Sequence, residues 1–206
     1  MKAESRYTYT FLCRNVRKLS NCQIPVEASG LMDYSSLKRS ELFTFFHITE
    51  MSRSKSSADG LTRVSLKPGG FQEFIDLEAG IDEASLLRFM TLIMDRHWVG
   101  DVCSVNPFAK DITKTFMLTV VPEEDLPLAK DVIDGIWNLT GASDKVYHLK
   151  QQTEVEESYD PQVVLAQRVF LGEKERFEML MPSSELIIEN STAGVKQLLR
   201  LTIDVF

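Results

Sequence analysis

The chain has 206 residues, 44% hydrophobic and 26% charged, with a formal net charge of -7. These are globular proportions that exclude wholesale disorder, and a chain of this length buries roughly 70% of the surface its unfolded form exposes, so folding needs no staple. The three cysteines, Cys13, Cys22 and Cys103, lack CxxC spacing and suggest neither a disulfide framework nor a structural zinc site.

No window approaches the roughly 18 uninterrupted apolar residues of a membrane span, and the opening MKAESRYTYTFL has no apolar run after its lysine. The expectation is one cytoplasmic domain over residues 1–206, away from membranes. Charge is unevenly spread: residues 1–70 hold 11 Lys and Arg against 6 Asp and Glu, leaving 12 against 24 in the remainder. Such poles can attract each other within a fold or between subunits, or meet a charged partner.

In chain order, Arg6 to Phe11 alternates aromatic with polar residues and predicts a strand. Residues 14–30 show no sustained period and read as loop, with room for a short strand. From Ser36 to Met51 the pattern is undecided, because Ser36 could cap a helix while Phe43, Thr44, Phe45, Phe46, Ile48 and Thr49 suit a strand. Residues 52–60, SRSKSSADG, have almost nothing to bury and read as a flexible loop, with a phosphorylation switch as one use for the serines beside Arg53 and Lys55. Leu61 to Leu66 and Phe71 to Leu77 predict a hairpin across Lys67-Pro68-Gly69-Gly70.

The stretch from Asp82 to Trp98 predicts the central helix, with Asp82 as N-cap, Leu86, Phe89, Met90, Ile93 and Met94 at helical spacing, and Gly100 as the stop. Ile112 to Val121 predicts a buried strand ended by Pro122. Two further helices come next, Leu126 to Thr140 before Gly141, and one opened by Asp160-Pro161 and running to Leu171. Lys145 to Leu149, Arg176 to Met181, Leu186 to Glu189 and Leu198 to Val205 predict strands. The fold class is therefore α+β, a mostly antiparallel sheet of five to seven strands packed against two or three helices. The expected core includes Leu86, Phe89, Met90, Ile93, Val132, Ile136, Trp137, Leu201 and Ile203.

The densest cluster of reactive side chains is Asp95, His97 and Asp101, followed by Cys103, Asn106, Lys110 and Asp111. A carboxylate near a histidine fixes its tautomer and stabilises the imidazolium, which is what a general base needs. The His97-x-x-x-Asp101 spacing resembles the signature of coenzyme A-dependent acyltransferases of the chloramphenicol acetyltransferase type and of peptide-synthetase condensation domains. That resemblance implies an acyltransferase with His97 and Asp101 as catalytic residues. It covers these two positions, and Val102 stands where the signature has glycine. His47, His97 and His148 form no HxxxH or HExxH pair, so no metal site and no cofactor is expected.

Arg14, Arg17 and Lys18, interleaved with Tyr7, Tyr9 and Phe11, suggest a surface for RNA or DNA within residues 1–70. The favoured expectation is a non-enzymatic binding or adaptor protein that meets a protein partner, or itself as a homo-oligomer, through a surface. Asp95, Cys103, Asn106, Lys110 and Asp111 are its candidate binding residues. The acyltransferase and the nucleic-acid protein are the alternatives.

Overall fold

The computed structural model describes residues 32–100, 105–143 and 160–206, with backbone alone for 138–143. It is mixed α+β, with a seven-stranded, wholly antiparallel sheet in the order β1-β2-β3-β4-β7-β6-β5. The strands are β1 Thr49–Lys55, β2 Thr62–Lys67, β3 Ile75–Ile81, β4 Leu87–Asp95, β5 Arg176–Leu180, β6 Ser184–Ala193 and β7 Lys196–Val205. Among the described residues six helices stand beside it: α1 Tyr34–Leu37, α2 Glu41–Phe45, α3 Arg96–Val99, α4 Pro107–Val120, α5 Leu126–Ser143 and α6 Pro161–Phe170. Two meanders, β1 to β4 and β5 to β7, are joined where β4 pairs with β7.

Period-two alternation puts one row of side chains inside. Met90 lies opposite Ile203, which lies opposite Leu186; Leu92, Leu201 and Ile188 form the next row. All six are fully buried, in one cluster with Phe116 of α4, Ile136 of α5 and Phe170 of α6. Burying a side chain of this size contributes about 1.5–3 kcal/mol. The buried Asp125 binds the start of α5 to the β5–β6 turn, accepting from the Ser184 hydroxyl at 2.6 Å and the Ser183 amide at 3.1 Å.

The chief correction concerns residues 82–98. In place of the expected helix there is strand β4, followed by the short α3. Met90, Leu92 and Met94 point inward while Phe89 and Ile93 occupy the other face half-buried, so apolar residues fall on both sides and mimic a helical stripe. Asp82 does cap, but it caps a turn: its carboxylate accepts from the amides of Ala84 and Leu86, and Ser85 takes φ +65°. Of the expected core, Met90, Val132, Ile136, Trp137, Leu201 and Ile203 are buried, whereas Leu86, Phe89 and Ile93 are intermediate.

Ile112 to Val121, expected as strand, is the body of helix α4. Asn106 and Pro107 open it as cap and first residue, and Ile112, Thr113, Phe116, Met117 and Val120 then recur inward at helical spacing. The serine-rich stretch, expected as loop over 52–60, is edge strand as far as Lys55, because pairing with β2 supplies hydrogen bonds that its own side chains cannot. The undecided stretch 36–51 resolves into α1, α2 and the start of β1, and the strand expected from Phe71 begins at Ile75. The helices expected at 126–140 and 161–171 are present, the first running on through Gly141 to Ser143, and strands β2, β5, β6 and β7 are present, β6 extending over 184–193 beyond the expected 186–189. The strands expected at 6–11 and 145–149 lie outside the described residues.

The outer face of the sheet is mostly polar. Arg63 spans it, bound to Asp59 at 2.7 Å and Glu78 at 2.9 Å, with its guanidinium 4.9 Å from the centre of the Phe89 ring. The ring lies across Gly80, where a β-carbon would overlap it. Gly80→Ala is therefore expected to destabilise the fold by about 1–3 kcal/mol through overpacking, read as a lower urea midpoint at an unchanged slope.

Further along the same face Asp204 stands directly opposite Glu185. Burial raises the pKa of Asp204, so its ionised form is disfavoured in the folded state. A raised carboxylate pKa lowers stability above the folded value and has no effect below the unfolded one. Asp204→Asn should stabilise the protein near neutral pH, with the gain shrinking as the pH falls towards the ordinary carboxylate range in a series of urea titrations.

Candidate functional site

Residues 95–100 and 105–111 lie at the end of β4 and the start of α4 and carry two aromatic rings, Trp98 and Phe108. Asp95 ends β4 and N-caps α3, its Oδ1 accepting from the amides of His97 at 2.9 Å and Trp98 at 3.3 Å. Asn106 N-caps α4, accepting from the Phe108 amide at 2.9 Å, while its Nδ2 donates to the Trp98 carbonyl at 3.3 Å. Its own amide donates to the Val99 carbonyl at 2.9 Å. One asparagine thus ties the Trp98 turn to the Phe108 helix.

Trp98 and Phe108 are the middle of a run of six rings. Phe74 stacks on Trp98 at 5.8 Å and 7°, and Phe71 meets Trp98 at 5.4 Å and Phe108 at 4.5 Å. Phe108 meets Phe46 edge-on at 5.3 Å, and Phe46 meets Phe45 at 5.0 Å. Each such pair contributes about 0.5–1.5 kcal/mol beyond area burial. In stacked, tilted and edge-on contact with one another, the rings form a continuous surface. Phe45 is 66% and Phe71 46% exposed, while Phe46 is buried beneath them.

The backbone around this patch is strained. His47 and Phe71 both adopt left-handed conformations, with φ +51° and +58°. For a side-chain-bearing residue this costs roughly 1–2 kcal/mol, and for a bulky ring it is uncommon. Surrounding bonds impose it. The Gly69 amide donates to the Phe46 carbonyl at 2.9 Å, bringing the Pro-Gly-Gly turn against α2, where a β-carbon on Gly69 would sit 2.8 Å from His47 Cβ. Lys67 Nζ donates to the Gln72 carbonyl at 2.5 Å, and the Phe71 carbonyl accepts from the amides of Phe74 and Ile75 at 2.9 and 3.1 Å.

Asp95 and Asn106 therefore act through backbone capping, and what they position is Trp98 and Phe108. His97 is exposed on α3. Lys110 and Asp111 are exposed on α4, with Lys110 Nζ 5.5 Å from the centre of the Trp137 ring. Asp101 and Cys103 lie outside the described residues, as do Arg14, Arg17 and Lys18, so the His97–Asp101 pair and the basic N-terminal cluster have no described geometry. Among the described residues no three His, Cys, Asp or Glu side chains are grouped to hold a metal ion, and no helix is long and apolar enough to cross a membrane. Sequence reasoning missed Phe45, Phe71 and Phe108 as a group, since they come from three separate elements. The one local sign was a phenylalanine directly after Gly69-Gly70, where a turn exposes the next side chain.

Comparison with protein-family models, with curated proteins and with solved structures finds no match for this chain.

Asn106→Ala is expected to cost about 0.5–2 kcal/mol by removing the α4 cap, whereas Asn106→Asp, which keeps the acceptor, should recover most of it. Thermal melts monitored by tryptophan fluorescence check both, because the lost bond to the Trp98 carbonyl also changes the indole's surroundings.

Proposed function

We propose that this chain is a non-enzymatic binding or adaptor protein, and that its contact surface is the aromatic patch of Phe45, Phe71, Trp98 and Phe108. The partner is a protein that presses an apolar side chain onto these rings. Large rigid rings lose little conformational freedom on binding and dominate the energetics of protein interfaces. The observation that carries the reading is Phe71: the fold sustains a left-handed backbone at a bulky residue and leaves its ring nearly half exposed. Strain of this kind gathers at sites of function, where it presents a group that relaxed geometry would turn away.

Two further features support the reading. Strain recurs at His47, two residues after the exposed Phe45, so left-handed backbone occurs in both of the segments that carry the exposed rings. The patch also rests on paired backbone hydrogen bonds from α2, α3, α4 and the β2–β3 connection, a rigid platform of the sort from which surfaces bind without reordering.

Phe71→Gly separates binding from folding. Strain relief of about 1–2 kcal/mol offsets only part of what is lost, namely two ring contacts of about 0.5–1.5 kcal/mol each, the area the ring buries and the added freedom of glycine in the unfolded chain, so a thermal melt establishing that the variant is folded accompanies the binding measurement. A photo-reactive phenylalanine at position 45 is expected to give a discrete cross-linked adduct in cells, and Phe71→Gly should reduce its yield at least tenfold. Sedimentation of the purified chain tells a second copy from a foreign protein. An absence of any adduct, with the chain monomeric at high concentration, would overturn the proposal.

A further inference from the structure

The run Ser52-Arg53-Ser54-Lys55 is unexplained by the aromatic patch. In β1 its alternation separates into two faces. Register places Arg53 opposite the buried Val64, while Ser54 lies opposite Arg63 and Ser52 opposite Ser65 on the outer face. The cations are held on their side: Arg53 binds Glu50 at 3.0 Å and lies 5.4 Å from the Tyr34 ring centre, and Lys55 binds Glu83 at 3.1 Å. The hydroxyls face a shallow groove lined by Ser52, Ser54, Arg63, Ser65, Asp76 and Glu78.

We propose that Ser54 is a phosphorylation site, modified by a serine kinase that reads the adjoining Arg53 and Lys55, and that Arg63 holds the phosphate once it is formed. A kinase takes its substrate as an extended segment. Strand β1 is already extended, is exposed at every residue and pairs only with β2, so it is the strand whose release disturbs least. Its end is a turn closed by one backbone bond, from the Ser56 amide to the Leu61 carbonyl at 2.8 Å. Ser56 is less suited than Ser54, since its hydroxyl accepts from the Ala58 amide at 3.3 Å.

In the step itself Ser54 Oγ attacks the γ-phosphorus of a nucleoside triphosphate. The new O–P bond forms as the bond to the β,γ-bridging oxygen breaks, the nucleoside diphosphate leaves with that electron pair, and the serine proton passes to a carboxylate of the kinase. The product carries about -1.5 to -2 charge and three strong acceptors. Directly opposite residues have their β-carbons about 4.5–5.5 Å apart, which puts a Ser54 phosphate within reach of the Arg63 guanidinium. Arg63 is now shared between Asp59 and Glu78. A dianion accepting two parallel N–H bonds competes better than a single carboxylate, so Arg63 turns from Asp59, at the hairpin tip, towards the phosphate. Asp76 and Glu78 in the groove oppose the added charge, so Arg63 is the residue that must neutralise it.

The test treats the full chain with ATP and a panel of basic-directed serine kinases and locates phosphate by fragmentation mass spectrometry. Phosphate should map to Ser54, and Ser54→Ala should cut incorporation at least tenfold. Phosphorus NMR then titrates the product. The second ionisation of the Ser54 phosphate should lie below its ordinary value near 6 in the wild type and return towards it in Arg63→Gln, with Arg63→Lys in between. Thermal melts establish that each variant is folded. No incorporation with any kinase, phosphate on Ser56 or Ser57 instead, or identical titrations in wild type and Arg63→Gln would each overturn the proposal.

Discussion

The pairing of β4 with β7 is the constraint on which the remaining structure depends. Each meander could form its own hairpins from neighbouring chain, but neither covers its apolar row alone. The β4–β7 ladder, from Phe89 opposite Asp204 to Asp95 opposite Leu198, joins segments more than a hundred residues apart and aligns Met90, Leu92 and Met94 with Ile203, Leu201 and Leu199. Closing a long loop costs entropy that grows only slowly with its length, so the helices α3 to α6 can be carried between the two strands at modest cost. The register admits no slip, because moving by one residue would exchange this apolar row for Phe89, Thr91, Arg200 and Asp204.

That register also places the aromatic surface. Strand β4 ends at Asp95, whose side chain turns the chain at once into α3 and so sets where Trp98 stands. Asn106 transmits the position to Phe108 through one side chain bonded in two directions. The rings from α2 and the β2–β3 connection then close over these two, held by a backbone that would relax if it were free to. The patch is thus assembled from local caps that each do ordinary work, and its exposure is a property of their sum.

The two faces of the sheet differ in kind. The inner face is apolar at the centre of the sheet, whereas the outer face is a mosaic: Arg63 over Phe89 and Gly80, a hydrogen bond of 3.0 Å between Thr91 and Thr202, and the like-charged pair Asp204 and Glu185. Thr91 is buried on this face although it points away from the main core. The mosaic explains how a chain can misrepresent its own strands. Residues on the outer face are polar at the edges of the sheet and partly apolar at its centre, so alternation is clear in β7 and lost in β4.

The amino-acid sequence by itself determined the elements whose signals are local. Alternation from Leu199 to Val205 marks β7, Asp160-Pro161 opens α6, and the apolar spacing from Leu128 to Trp137 marks α5; Asn106-Pro107 carries the same opening for α4, and was equally legible. Only the tertiary structure decided that residues 87–95 are a strand, because this central strand is buried on one face and largely covered on the other, and its apolar residues then fit a helical period as well as an extended one. The same holds for the site. Its residues, 45, 71, 98 and 108, have no spacing that one element could produce, and their common surface exists only once β4 and β7 have paired.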